Sequence, residues 1–97
     1  MAKKKNRSTK LIETKFHPRF PQTESYQYNS ASIRVRILDD AFRGKSEVER
    51  ERLVRPLIRE LPRNVQDDIT ILLLLAPEET KSSMMNLEFE QPTPSQL

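Results

Sequence analysis

An alternation of apolar and charged residues marks the first clear element of secondary structure. Ile33, Val35 and Ile37 are apolar, and the residues between them are Arg34 and Arg36. A period of two residues is typical of a β-strand that is buried on one side. The pattern predicts a strand whose arginines and aliphatic side chains point to opposite faces of a sheet.

A longer apolar run, ITILLLL, predicts a second strand at residues 69–75. If this strand is regular, its odd-numbered residues face one side of the sheet, and Thr70, Leu72 and Leu74 face the other. The strand should end at Ala76-Pro77, because proline lacks the N–H donor that a ladder of hydrogen bonds requires.

An amphipathic helix is predicted between these strands. Its apolar residues recur at helical spacing, at Leu53, Val54, Leu57, Ile58 and Leu61. Ser46 and Glu49 have the spacing of a capping box at its start. Arg50 projects into the apolar arc, and Pro56 removes one backbone donor from the helix interior. We therefore expect a bend near residues 50–52 and an end of the helix by Leu61.

A strand, a helix and a strand in this order form a crossover in which the two strands run parallel. The predicted fold class is a small α/β (α+β) domain, with the helix on one face of the sheet. Arg34, Arg36, Leu72 and Leu74 would share the other face, where fully burying each leucine is worth about 1.5–3 kcal/mol. These four residues are the predicted partner surface, covered by a flanking segment, a second copy or another protein.

The flanking segments have weaker patterns. Residues 1–24 predict a basic, mostly irregular N-terminal arm, with a short extended piece at residues 11–16. Residues 81–97 are rich in Pro, Ser, Thr and Gln and predict a flexible tail. Within that tail, the apolar residues between Met84 and Phe89 predict a short docking helix or strand. The predicted domain occupies residues 25–80.

Positive charge is concentrated near the N-terminus. The formal net charge is +3, yet five basic residues precede the first acidic residue, and the rest of the chain is slightly acidic. These residues are Lys3, Lys4, Lys5, Arg7 and Lys10. A free basic arm of this kind is solubilising, and it binds phosphates weakly and without sequence preference.

A second group of cations surrounds the predicted helix. These possible phosphate contacts are Arg43, Lys45, Arg52, Arg55 and Arg59. Acidic residues interleave with them, and Glu51–Arg55 and Glu47–Arg50 have the spacing of ion pairs within a helix. A solvated helix face of mixed charge is therefore the favoured interpretation, and weak nucleic-acid binding is the alternative.

Composition excludes several classes of site. The chain has no cysteine and only one histidine, His17. It therefore lacks the side chains for disulfides, thiolate metal sites and sites that need two imidazoles. The pairs Asp39-Asp40 and Asp67-Asp68 should lie at opposite ends of the sheet, too far apart to share a metal ion. We predict no catalytic, cofactor-binding or metal-binding residue and no enzyme activity.

No membrane-associated or secreted role is predicted. The longest apolar run is far shorter than the segment of about 20 residues that spans a bilayer. The basic start is not followed by the apolar stretch of a secretory signal. The expected location is the cytoplasm.

Several short motifs together resemble the pattern of the BolA family. They are Phe42-Arg43-Gly44-Lys45-Ser46, Arg50, Arg52-Leu53-Val54, Leu57, Leu61, Ile69-Thr70-Ile71 and Ala76-Pro77-Glu78-Glu79. The family pattern has an F-x-G-K-S turn, an R-x-R-L-V helix and a strand that ends in a T-P-E-like stop. The resemblance covers roughly residues 32–79. It implies a small domain like the type II KH fold, with a three-stranded mixed sheet packed on helices.

The same resemblance implies a function. Members are not enzymes; they are associated with stress-linked regulation of transcription and with monothiol glutaredoxins, with which they share a bridged iron–sulfur cluster. Where the family's last strand opens with histidine, this chain has Asp67 or Asp68, and Glu51 replaces the histidine of the R-H-R element. Since carboxylates are poor ligands for such a cluster, we predict no cofactor.

The predicted function is a regulatory or adaptor role that depends on contacts with another protein or on self-association. Weak nucleic-acid binding by a KH-like module is the first alternative. Partnership with a monothiol glutaredoxin in iron–sulfur handling is the second.

Overall fold

The computed structural model describes residues 3–95 as a small α+β domain. Its helices and strands, in chain order, are α1 (Arg7–Phe16), β1 (Thr23–Asn29), β2 (Ser32–Leu38), α2 (Glu47–Arg59), α3 (Arg63–Asp68), β3 (Ile69–Leu75) and α4 (Met84–Glu90). Short 3-10 helices at Asp40–Phe42 and Pro77–Lys81 follow β2 and β3. None of the helices within residues 3–95 is long and apolar enough to cross a lipid bilayer.

The strands form one mixed sheet in the order β1-β2-β3. β1 and β2 are antiparallel neighbours in sequence, whereas β2 and β3 are parallel and are connected through α2 and α3. The parallel pairing predicted for the two strands is confirmed. Because β2 is central, β1 forms one edge of the sheet and β3 forms the other.

The main core lies between one face of the sheet and the helices that precede β3. Ile33, Val35 and Ile37 of β2 are fully buried in it, as their alternation predicts. The other buried apolar residues of this core are Ile12, Phe16, Phe20, Phe42, Val54, Leu61, Val65 and Leu74. On the opposite face, the ring of Tyr26 lies 4.9 Å from that of Phe89. α4 therefore packs on the face that the other helices leave free.

Helix α2 begins and ends where the sequence predicts. Ser46 Oγ accepts a hydrogen bond from the Glu49 N–H over 3.2 Å, and the Glu49 carboxylate accepts one from the Ser46 N–H over 2.8 Å. Gly44, in the preceding turn, has a φ of 75°, a conformation that glycine adopts without steric cost. The helix is continuous through Arg50 and Pro56, so the missing donor at Pro56 does not end it.

The prediction of a mostly irregular N-terminal arm is wrong for residues 7–16, which form α1. Asn6 and Thr9 form a capping box at its start. Thr9, Ile12 and Phe16 have the i, i+3, i+7 spacing of one helix face, and all are buried. The pattern is hard to recognise because Thr9 is polar and Leu11 is 42% exposed. The extended piece predicted at residues 11–16 is therefore also wrong.

The first lysines belong to the folded domain rather than to a free arm. The Lys3 ammonium lies 3.2 Å from Glu90 and 3.6 Å from Glu24. The Lys5 ammonium binds Glu13 over 2.6 Å. These contacts neutralise part of the positive charge that the sequence assigns to a solvated tail.

Residues 84–90, for which the sequence leaves helix and strand open, form the helix α4. Ser83 caps this helix by accepting a hydrogen bond from the Asn86 N–H. Asn86 and Phe89 are buried, whereas Met84 is 79% exposed. Helices on both sides of the predicted domain at residues 25–80 thus pack against its sheet.

From Ile71 onward, the side chains of β3 point to the face of the sheet opposite to the predicted one. Ile33 pairs with Ile69, but the next residue of β2, Arg34, pairs with Ile71. The pairing therefore skips Thr70. One extra residue in a strand turns every later side chain to the other face of the sheet.

The predicted partner surface is therefore split between the two faces. Leu72 and Leu74 pair with Val35 and Ile37, so they point towards the helices and the main core. Arg34 and Arg36 point to the opposite face. The prediction that these arginines and leucines share one face is wrong.

Candidate functional site

The two arginines of the predicted partner surface lie beneath α4. Arg34 Nη1 donates to the Glu88 carboxylate over 2.8 Å and to Tyr26 Oη over 3.3 Å. Its guanidinium carbon lies 3.5 Å from the centre of the Tyr28 ring. The hydrogen bond from Arg34 lowers the pKa of Glu88 to about 2. Both the charge and the planar surface of Arg34 are thus used within the chain.

Arg36 of β2 makes similar contacts with other residues of α4. It donates to Asn86 Oδ1 over 2.7 Å, to the Glu90 carboxylate, and to Glu24 over 3.0 Å. Its guanidinium carbon lies 4.7 Å from the centre of the Phe89 ring. Hydrogen bonding to Arg36 holds the pKa of Glu90 below its usual value. While α4 is docked, this face of the sheet is closed to a partner.

A groove that is open to solvent lies between α2 and β3. Its volume is about 490 Å³. Glu47, Arg50, Glu51 and Ile58 line it from α2, and most of β3 lines it from the sheet. Leu72 and Leu74, the other half of the predicted partner surface, belong to this groove.

Arg50 occupies one end of the groove. Its Nη1 donates to the Leu74 carbonyl over 2.8 Å, and its two Nη atoms donate to the Glu79 carboxylate over 2.7 and 2.9 Å. Glu79 also accepts a hydrogen bond from the Ala76 N–H over 2.8 Å. Hydrogen bonding to Arg50 lowers the pKa of Glu79. Arg50, which interrupts the apolar face of α2, therefore joins this helix to β3 and to the turn that follows β3.

The middle of β3 exposes backbone hydrogen-bonding groups at the edge of the sheet. On the β2 side, the Leu75 carbonyl accepts a hydrogen bond from the Asp39 N–H over 3.0 Å. Successive residues of a strand direct these groups to alternate sides, so those of Leu72 and Leu74 point to the open edge. Arg50 binds the Leu74 carbonyl. No strand within residues 3–95 pairs with Leu72 at this edge, since β3 has β2 as its sole strand neighbour there.

The predicted phosphate contacts divide into one bound cation and four exposed ones. Arg43 donates to the Glu78 carboxylate over 2.6 and 2.7 Å and to Asp40 over 2.8 Å. The bond from Arg43 lowers the pKa of Glu78 to about 2. The other four are exposed and form no ion pair with any residue in the range 3–95: Lys45, Arg52, Arg55 and Arg59. These four remain available to an anionic partner.

The charges along α2 form a row that begins at the groove, which Glu47 and Glu51 line, and turns away from it towards solvent. Glu47, Glu51, Arg55 and Arg59 are each four residues apart, which places them on one ridge of the helix. We call these four side chains the charged ridge. All are exposed, and the ridge is acidic in its first half and basic in its second. The predicted Glu51–Arg55 and Glu47–Arg50 ion pairs are absent from the described part of the chain, where Arg50 binds Glu79 instead.

The remaining titratable residues are dispersed. His17 Nε2 lies 3.0 Å from the Thr23 carbonyl oxygen. Asp39 follows β2 and accepts a hydrogen bond from the Ala41 N–H, whereas Asp67 precedes β3 and binds Arg63. These two acidic positions lie at opposite ends of the parallel strands, as predicted. Residues 3–95 contain no group of three or more His, Asp or Glu side chains placed to hold a metal ion.

Sequence reasoning misses the carboxylates that hold the buried arginines. Arg34 and Arg36 are two residues apart, and Glu88 and Glu90 have the same spacing. The equal spacing does not predict their pairing, because residues two apart share a face on a strand but not on a helix. The spacing alone also does not distinguish these acids from the many others in the chain.

Comparisons with protein-family models, with curated proteins and with solved structures find no match to this chain.

Proposed function

We propose that this chain is a non-enzymatic regulatory or adaptor protein of BolA-like type that acts through protein–protein contacts at the groove between α2 and β3. The supporting observation is the edge of β3, where Leu72 has no strand partner within residues 3–95. An apolar strand edge of this kind is a template for pairing with another chain. The coarse architecture, a three-stranded mixed sheet with helices, is compatible with the BolA resemblance.

The lining of the groove favours an extended peptide over a small polar substrate. Ile58, Leu72 and Leu74 give it aliphatic walls. Arg50, the cation that lines it, is already bound to Glu79 and is not free to hold a substrate anion. A strand added to β3 would satisfy the free backbone groups and cover the aliphatic side chains together.

Affinity capture from a nuclease-treated lysate tests this function. Thr70 is exposed on β3, and Thr70→Lys places a charge on the edge that disfavours strand pairing. Leu11→Lys, on the exposed side of α1, is the matched control. We expect the wild type and the control to capture a common partner that Thr70→Lys loses. Equal capture by all three proteins would place the contact elsewhere.

Weak nucleic-acid binding is the second candidate, because Lys45, Arg52, Arg55 and Arg59 are exposed and form no ion pair within the described residues. Fluorescence anisotropy with single-stranded RNA over a range of salt concentrations tests it. Each lost phosphate contact should reduce the slope of log K against log salt by about 0.7. An unchanged slope for Arg52→Glu and Arg55→Glu would exclude these cations as the binding site.

The capture experiment also tests the glutaredoxin alternative. A monothiol glutaredoxin among the proteins that depend on the β3 edge would favour that role over a general adaptor function. Addition of the chain to a cluster-loaded monothiol glutaredoxin should then change the visible spectrum of the cluster. An unchanged spectrum would remove this alternative without affecting the adaptor proposal.

A further inference from the structure

We propose that the β3 edge pairs with the same edge of a second copy of this chain, in an antiparallel dimer whose twofold axis passes beside Leu72. This inference rests on the contact surface named in the proposed function and deepens it, because it identifies the protein at the β3 edge as a second copy of this chain. It makes the groove between α2 and β3 an interface between copies and extends the sheet across the axis.

The strand itself lacks the features that keep an edge from pairing. β3 contains no charged residue and no proline, and both are common protections of exposed strands. Arg50 is the one side chain of the described residues that binds an outward carbonyl, that of Leu74. The carbonyl has a second lone pair, so this contact leaves an acceptor for an incoming strand.

The direction of the backbone groups places the twofold axis of the proposed dimer at Leu72. The N–H and C=O of this residue both point to the open edge, as the Asp39–Leu75 hydrogen bond and the alternation of the strand require. A residue on the twofold axis of an antiparallel pair exchanges both hydrogen bonds with its own copy. Leu72 is the middle residue of β3, so pairing about it places Thr70 opposite Leu74 of the second copy.

The charged ridge favours a second copy of this chain as the partner at the β3 edge. α2 starts beside the end of β3, where Arg50 binds Leu74, and runs back along the strand. Across the proposed axis the two α2 helices therefore run in opposite directions. Glu51, which lines the groove, then faces Arg55 of the other copy, the next residue along the ridge. Such self-complementarity is what a twofold interface requires of one surface patch.

Two charge-reversed proteins test the arrangement by sedimentation equilibrium. Glu47→Arg with Glu51→Arg makes the ridge wholly basic, and Arg55→Glu with Arg59→Glu makes it wholly acidic. Each variant alone should dimerise about tenfold more weakly than the wild type, because like charges face each other. An equimolar mixture should recover dimers that contain one copy of each. High salt should reduce the difference, because it screens exposed charges.

The control is Lys10→Glu with Arg52→Glu, which changes the net charge as much as the acidic variant but lies off the ridge. It should dimerise like the wild type. Thermal unfolding of each protein checks that the reversals leave the fold intact. A wild type that is monomeric at every concentration overturns the proposal and favours a foreign strand as the occupant. A mixture that stays monomeric while the wild type dimerises assigns the dimer to another surface and overturns it as well.

A distance measurement tests the register. The chain has no cysteine, so Thr70→Cys carries a single spin label. With the axis at Leu72, the two labelled positions are four residues apart along paired strands, which corresponds to about 14 Å. A dipolar coupling consistent with this separation supports the proposed register. A much longer distance would contradict it even if a dimer forms.

Discussion

The two edge strands of the sheet, β1 and β3, differ in how their outward backbone groups are hydrogen-bonded. At the β1 edge, the Gln27 N–H donates to the Lys4 carbonyl over 2.8 Å, and the side chains of Asn6 and Gln27 are joined over 2.9 Å. The Lys5 ammonium reaches the Ser25 carbonyl over 2.5 Å. At the β3 edge, Arg50 is the one side chain of the described residues that binds an outward carbonyl, and the strand is wholly uncharged.

This difference indicates which part of the fold is complete without a partner. The chain covers β1 with its own polar and charged residues, which is a common protection against pairing between sheets. It leaves β3 as an apolar strand beside an open groove. The sequence predicts a partner surface of Arg34, Arg36, Leu72 and Leu74, yet α4 closes the face that holds the two arginines. The unpaired backbone of β3 is the observation on which we propose a contact surface.

Removal of the aromatic anchor of α4 should have the largest effect on stability. Phe89 is 1% exposed and contacts Tyr26 of the edge strand β1. Phe89→Ala should lower the free energy of unfolding by about 3–5 kcal/mol, through lost burial and a cavity. Leu87→Ala, at a residue of α4 that is 54% exposed, is the control and should cost much less. Urea denaturation compares them, and equal midpoints would mean that α4 does not stabilise the domain.

Removal of Arg50 should cost less, because it breaks the contacts that join α2 to β3 and to the turn after it. Arg50→Met keeps an aliphatic stem but loses the hydrogen bonds to Leu74 and Glu79. We expect a loss of about 1–3 kcal/mol from partly buried groups that lose their partner. Arg52→Met, at an exposed position of α2, should be close to neutral. A midpoint shift as small as that of the control would show that water replaces Arg50 without cost.

Substitution of Asn6 should have a smaller effect on stability, at the β1 edge of the sheet. Asn6 caps α1 by accepting from the Thr9 N–H, and it also donates to the Gln27 side chain of β1. Asn6→Ala should cost about 1 kcal/mol, the usual value of an N-cap. It should also accelerate amide exchange at Gln27, whose N–H binds the adjacent Lys4 carbonyl. Asn64→Ala, at an exposed residue of α3, should change neither quantity. Unchanged exchange at Gln27 would separate the cap from the protection of the edge.

Elements that depend on local signals are predictable from this sequence. The alternation of Ile33, Val35 and Ile37 fixes β2, and the capping box of Ser46 and Glu49 fixes the start of α2. The parallel pairing of β2 with β3 follows from the helix between them. The first two inferences use neighbouring residues alone, and the third uses the order of the elements along the chain.

Features that depend on distant contacts were mispredicted. The face that Leu72 and Leu74 present depends on one skipped residue at Thr70, which no periodicity of β3 reveals. The burial of Arg34 depends on Glu88, a residue of a terminal segment with no strong pattern of its own. The groove between α2 and β3 was not predicted, because Leu72 and Leu74 were assigned to the face of the sheet opposite the helix.

The smallest expected effect concerns the Tm at low pH, through the ion pair between Arg34 and Glu88 on the face that α4 covers. The pKa of Glu88 is lowered from 4.5 to about 2 by its bond to Arg34, so the folded protein binds a proton there less readily than the unfolded chain. The contribution of this pair is complete above pH 4.5 and is lost as the pH falls towards 2. Glu88→Gln should flatten the decline in Tm over this range, whereas Glu51→Gln, on the open side, should leave it unchanged. Because Glu88 is partly exposed, solvent screening keeps the effect modest. Parallel declines in Tm for Glu88→Gln and the wild type would show that acid acts elsewhere in the domain. The stability of the face that α4 covers would then depend on the packing of Phe89 rather than on the Arg34–Glu88 ion pair.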